Sequence, residues 1–168
     1  MRHFLLGLLG LLSLPGCQGQ DRLVKSRAYD LMLKGLLPKE APFLGVAAAQ
    51  EADSVLFLDS RSREEYEVSH LPGARWIGYE SFDSTRVEDL DRSQPVVVYC
   101  SVGYRSGEVA AQLQQMGFSQ VHNLYGGLFE WSNRGYPLVN PQSQPTDSVH
   151  GYSPTWGVWV KEGTVVYE

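Results

Sequence analysis

Val96-Val97-Val98-Tyr99-Cys100-Ser101-Val102-Gly103-Tyr104-Arg105-Ser106 is the stretch on which the fold turns. Four β-prone residues run into a cysteine, and a short loop with one glycine and one arginine follows. From Gly107 to Met116 the pattern becomes helical, with Val109, Ala110, Leu113 and Met116 on one face and Gly117 placed to close the end. A strand that turns sharply into a helix presents several backbone N–H groups to one point, at the positive end of the helix dipole. Such a nest favours an anion. Cys100 therefore reads as a sulfur held in an amide cradle with Arg105 beside it. The competing reading is a buried packing cysteine at a strand end.

Working outward, further segments appear in a fixed order. Leu56-Phe57-Leu58-Asp59-Ser60-Arg61 comes first, then Glu64-Glu65-Tyr66, then His70-Leu71-Pro72-Gly73-Ala74. The Cys100–Ser106 loop, Gly126-Gly127 and Trp131 follow. In order and spacing this set resembles the rhodanese family over roughly residues 42–139. The resemblance implies an α/β fold of three layers, with a central parallel sheet of about five strands and helices on both faces. It also implies that Cys100 carries sulfur as a persulfide and that the backbone of Ser101, Val102, Gly103, Tyr104 and Arg105 forms its cradle. In such proteins an arginine at the position of Arg61 often helps to fix the catalytic region; pairing with Asp59 to hold the loop is the alternative. His70 is implied to pack in the turn before Pro72 rather than to act as a base.

Composition narrows the remainder. At 168 residues, with 43% hydrophobic residues, the chain suits one domain with short appendages. A net charge of −5 gives no basic footprint, so nucleic acid is not an expected partner. His3, His70, His122 and His150 are scattered without ligand spacing around Cys100, and no glycine-rich nucleotide loop occurs. No metal and no cofactor are expected.

The first 17 residues read as a targeting segment. Arg2 and His3 precede an apolar run from Phe4 to Leu14, too short for a bilayer-spanning helix but suited to a signal peptide. Leu14-Pro15-Gly16-Cys17 resembles a bacterial lipobox, with Cys17 lipidated; an ordinary signal peptide cut nearby and an uncleaved anchor are the alternatives. Either way the domain is expected to be exported, and lipid on Cys17 would anchor it to a bacterial membrane, facing the periplasm or the cell exterior. Cys17 and Cys100 are the only cysteines, so lipid on the first leaves the second a lone thiol.

Residues 18–41 read as a tether and an amphipathic helix, with Val24, Ala28, Leu31 and Gly35 on one stripe. Within 42–139, strands are expected at Pro42–Leu44, Val55–Leu58, Arg75–Ile77, Val96–Tyr99 and Val121–Leu124. Helices are expected at Val46–Gln50, Glu64–Val68, Gly107–Met116 and Leu128–Asn133, and a polar helical crossover at Ser81–Leu90. Gly126-Gly127 permits a close backbone approach, and Trp131 reads as core. Residues 140–168 read as a linker and a hairpin-like extension in which Tyr152–Val160 and Thr164–Tyr167 flank a glycine turn and cover an open face of the domain.

Taken together, these residues point to a sulfurtransferase. Cys100 would take a sulfane sulfur from a small anionic donor such as thiosulfate and pass it to a thiol or cyanide. Ser101 and Val102 stand where thiosulfate enzymes of the family often carry a basic residue. A non-catalytic sulfur-binding or redox-sensing module is the second reading. A small phosphatase or arsenate reductase is the third, although four residues separate Cys100 from Arg105 where those loops have five. Oligomeric state is not legible.

Overall fold

The structure, a computed structural model, describes residues 23–80 and 82–168. Phe4–Leu14 and Cys17 lie outside the described residues. Five strands, β1 (Phe43–Gly45), β2 (Leu56–Asp59), β3 (Arg75–Trp76), β4 (Val96–Tyr99) and β5 (Val121–Tyr125), form one parallel sheet in the order β1-β5-β4-β2-β3. The connections carry helices α2 (Val46–Glu51), α3 (Arg63–Val68) and α4 (Tyr104–Gln115), and α5 (Gly127–Asn133) follows β5. The expected α/β fold is present.

Every residue of β4 is buried. Its side chains alternate between the faces, and so they divide between two cores. Val97 and Tyr99 join Leu128, Phe129 and Trp131 of α5. Val96 and Val98 join Val109, Ala110 and Leu113 of α4. This is why four consecutive apolar residues precede Cys100: a parallel strand covered on both faces needs no polar alternation.

Chain direction across the sheet reverses between β2 and β4. From β2 the chain moves outward to β3, and from β4 it moves outward to β5 on the other side. In open α/β sheets, ligands gather beyond the carboxyl ends of the strands at such a point. There β2 ends in Asp59, in register with Tyr99, and Cys100 follows directly.

Three local expectations are corrected. The amphipathic helix α1 is present at Arg27–Leu36, but it buries Tyr29 and Leu33, not the stripe of Ala28, Leu31 and Gly35; Leu31 is 62% exposed. Tyr29 dominates because its ring stacks on Trp159 at 5.2 Å and its hydroxyl donates to the Gly126 carbonyl. Among the described residues of the polar segment before β4, the expected helix is replaced by a 3₁₀ turn, Ser84–Val87, started by Asp83, whose carboxylate accepts from the Thr85 amide. Short polar side chains that bond nearby backbone favour such turns over helix.

The C-terminal extension is also not a hairpin. Strand β8 (Ser148–His150) pairs in parallel with β9 (Thr164–Val166), with a short helix α6 (Pro154–Gly157) between them. The antiparallel hairpin lies earlier, where β6 (Leu138–Val139) pairs with β7 (Pro145–Thr146) around the proline-broken linker. The extension does pack on the domain: Val149 and Val160 are buried in the α5-side core.

Candidate active site

Cys100 leaves the end of β4 and is 1% exposed, yet it lines a cavity of about 240 Å³. The sulfur accepts a hydrogen bond from the Gly103 amide at 3.1 Å. Gly103 is the N-cap of α4 with φ at 113°, a backbone region that side chains rarely adopt. That twist aims its amide back at the sulfur three residues earlier. Its carbonyl is held by the side-chain amide of Asn123 on β5, at 2.8 Å. Ser106 Oγ lies 3.5 Å from the sulfur and 2.8 Å from Asn123 Oδ1, with one proton to give to either.

A second glycine fixes the other side of the loop. Gly127 has φ at 56°, and a Cβ there would come within 2.4 Å of the Cys100 carbonyl oxygen. This close approach lets the Leu128 and Phe129 amides donate to the carbonyls of Cys100 and Ser101, at 2.9 and 3.0 Å. The first turn of α5 thereby takes up both carbonyls, as orphan helix-start donors must find partners.

Arg105 sits in the first turn of α4 and forks onto Glu65 of α3, at 2.7 and 2.8 Å. Ser101 Oγ donates to Glu65 at 2.7 Å and accepts from Arg105 at 3.0 Å, closing a triangle. Glu65 also completes a capping box, since its other oxygen accepts from the Ser62 amide while Ser62 Oγ accepts from the Glu65 amide. Burial alone would raise the carboxyl's pKa. The Arg105 hydrogen bonds and charge, with Arg61 and Ser101, outweigh burial and hold it down at about 2. For Arg105, burial alone would lower the pKa, but the Glu65 hydrogen bond and the negative groups around it raise it above its ordinary value.

The remaining sequence-predicted residues separate into two groups. Val102, Tyr104 and Arg105 line the cavity with Cys100. Arg61 does not line that cavity. It is completely buried and binds both oxygens of Asp59 and the Ser69 carbonyl, so it ties the β2 loop to the end of α3. His70 lies in the turn before Pro72, its ring stacked on Tyr66 at 3.9 Å. Among the described residues, no group of three or more His, Cys, Asp or Glu side chains could hold a metal ion.

Sequence reasoning missed Glu65, Asn123, Ser106, Leu36, Tyr152 and Trp156. For Glu65 a signal existed, the Ser62-x-x-Glu65 capping pattern. Ser106 lies in the quoted loop but carries no signal of its own, and Asn123, Leu36, Tyr152 and Trp156 reach the site from distant segments.

Residues 45–134 match the Rhodanese-like domain. The chain belongs to the rhodanese-like family. Its relatives include a sulfurtransferase from Allochromatium vinosum, 32% identical over 92 residues, covering 55% of this chain and 85% of that protein. The thiosulfate sulfurtransferase GlpE of Pseudomonas fluorescens is 34% identical over 100 residues, covering 59% of this chain and 89% of that one. The chain spans only 29% of another relative, the tRNA uridine(34) hydroxylase of Sodalis glossinidius, at 33% identity over 55% of this chain. A rhodanese-related protein from Thermoplasma volcanium shares the fold, with a TM-score of 0.51 at 24% identity over 58% of this chain and 97% of that one. In this rhodanese-like chain Leu36, Tyr152 and Trp156 stand outside the matched segment but line the same cavity as Cys100.

The low pKa of Glu65 predicts a pH signature. A carboxylate whose folded pKa is depressed stabilises the fold above its ordinary value of about 4.5, and that stabilisation is lost as pH falls toward about 2. Glu65→Gln should cost about 3 kcal/mol at pH 7 and progressively less below pH 4.5. Urea unfolding at pH 7 and pH 3 measures this, and an equal loss at both would show that the charge of Glu65 is not what matters.

Proposed function

We propose that this protein is a sulfurtransferase that relays a sulfane sulfur through a persulfide on Cys100. The observation that carries the reading is the Cys100 sulfur on a cavity wall, hydrogen-bonded by the Gly103 amide at the start of α4. The relatives named sulfurtransferases, which this chain matches over most of their length, support it.

The relay has two displacement steps. The Cys100 thiolate attacks the outer sulfur of a donor such as thiosulfate; a sulfur–sulfur bond forms, and the donor's own bond to that sulfur breaks. Sulfite, or the corresponding anion, leaves with the electron pair. An acceptor, a thiol or cyanide, then attacks the outer sulfur of the Cys100 persulfide, and the Cys100 thiolate is the leaving group. In each form of the enzyme the negative charge lies on sulfur, first the Cys100 thiolate and then the persulfide, so catalysis asks for donors already pointing at it. The Gly103 amide is one, fixed by a glycine-only twist and by Asn123. Arg105 contributes a positive charge that is shared with Glu65.

Intact mass spectrometry of the purified chain tests the relay. After incubation with a sulfane-sulfur donor, the protein should gain one sulfur atom that dithiothreitol removes, and Cys100→Ser should gain none. Hydrolysis of aryl phosphates without any sulfur uptake would overturn the assignment.

Export and lipid attachment at Cys17 belong to the same proposal, supported by the apolar run Phe4–Leu14 and the Leu14-Pro15-Gly16-Cys17 pattern. Among the described residues no helix is long and apolar enough to cross a membrane. In cells fed a labelled fatty acid, Cys17→Ser should lose the label and leave the membrane fraction. Labelling that persists in the variant would reject the lipid assignment.

A further inference from the structure

The cavity over Cys100 is larger and more apolar than thiosulfate requires. Its volume of about 240 Å³ equals the liquid volume of about eight waters, whereas thiosulfate has five heavy atoms. Leu36 at the end of α1, and Tyr152 and Trp156 of the C-terminal extension, supply walls from outside the family's matched segment. They face Val102 and Tyr104 from the sulfur loop. Among the described residues that line it Arg105 is the one cation, and Glu65 already pairs with it through two hydrogen bonds. A doubly charged inorganic anion would therefore meet a cation already paired and walls that are mostly apolar, a poor exchange for its hydration.

The extension is held in that position. The Tyr152 amide donates to His150 Nδ1 at 3.1 Å, on a backbone with φ at 62°, and the ring lies over the Arg105 guanidinium at 4.9 Å. An aromatic face against the guanidinium shields one more side of the charge from solvent. Trp156 is placed by α6, whose parent βαβ unit is closed by the β8–β9 pairing.

We infer that the donor is an organic sulfane-sulfur compound, a hydropersulfide or thiosulfonate whose apolar body lies between Leu36, Tyr152 and Trp156 while its terminal sulfur meets Cys100. The inference rests on the sulfur-relay reading of the same site and names its substrate class. For a thiosulfonate, R–SO₂–S⁻, the Cys100 thiolate attacks the terminal sulfur. The new bond joins that sulfur to Cys100, the bond to the sulfonyl sulfur breaks, and the sulfinate R–SO₂⁻ leaves with the electron pair. For a hydropersulfide, R–S–S⁻, the same attack breaks the donor's sulfur–sulfur bond and the thiolate R–S⁻ leaves with the electron pair, so in both cases atoms and charge balance without an oxidant. Tyr152 and Trp156 are then specificity-determining residues: they touch the body of the donor, not the reacting sulfur.

Methanethiosulfonate and benzenethiosulfonate present one reacting group on bodies of different size, with thiosulfate as the inorganic reference. Loading of Cys100 in the full chain is followed by intact mass, and each rate is divided by that donor's rate with free cysteine. The corrected benzene-to-methane ratio should be about 10 or more. Tyr152→Ala or Trp156→Ala should each cut it by about fivefold or more. Tyr152 is 53% exposed, so its truncation leaves the fold intact even where loss of Trp156 does not. A ratio near one in the unmodified chain, or one unchanged in the Tyr152 variant, would overturn the inference while sulfur uptake still upheld the relay. Absence of sulfur uptake from every donor would instead overturn the relay itself, and the inference with it.

Discussion

The ion pair between Glu65 and Arg105 is the interaction on which the site depends. Forty residues separate the partners in sequence, and the pair joins α3, which follows β2, to α4, which follows β4. It therefore clamps the crevice where the sheet's connections diverge. A buried ion pair is stabilising only when its remaining hydrogen-bonding capacity is met. Here Ser101 and the Ser62 amide meet that of Glu65, and the side chain is 2% exposed. Beside it, Asp59 and Arg61 form a second completely buried pair, which anchors the β2 loop to the Ser69 carbonyl. Two arginines that sequence reasoning sets near the reacting sulfur are thus largely engaged in holding loops. Arg105 keeps a place on the cavity wall, while Arg61 does not.

Around that clamp the sulfur loop is held by backbone. The α5 amides take the carbonyls of Cys100 and Ser101, Asn123 takes that of Gly103, and the Gly103 amide is left to the sulfur. Both enabling glycines have positive φ, and at Gly127 the loop backbone occupies the space a side chain would need. A donor fixed before the reaction begins costs no reorganisation when charge moves on the sulfur. This is the sense in which the fold serves the chemistry: β4 delivers the cysteine, and β5 with α5 sets the loop that follows.

Much of this was legible in the sequence because it is local. The apolar run Val96–Tyr99, the turn at Cys100 and the helix after it each have a period or composition of their own, and so does the Gly126-Gly127 step. The stripe of α1 was misread because Ala28, Leu31 and Gly35 form a regular pattern, whereas the face buried is chosen by Trp159, which stacks on Tyr29 from 130 positions away. The C-terminal segment was misread for a similar reason. A glycine between two apolar runs suggests a hairpin, but β9 finds its partner in β8, across α6. Parallel pairing leaves no short-range signature. The cavity walls Leu36, Tyr152 and Trp156 were illegible on the same ground, since only the tertiary fold brings them over Cys100.

That the fixed Gly103 amide, rather than a freed arginine, holds the reacting sulfur is tested most directly by a crystal structure of the sulfur-loaded chain. A second sulfur on Cys100 should project into the cavity, with the Gly103 amide still at hydrogen-bond distance from the disulfane and Arg105 still forked onto Glu65. An Arg105 side chain swung away from Glu65 to bind the outer sulfur would contradict it.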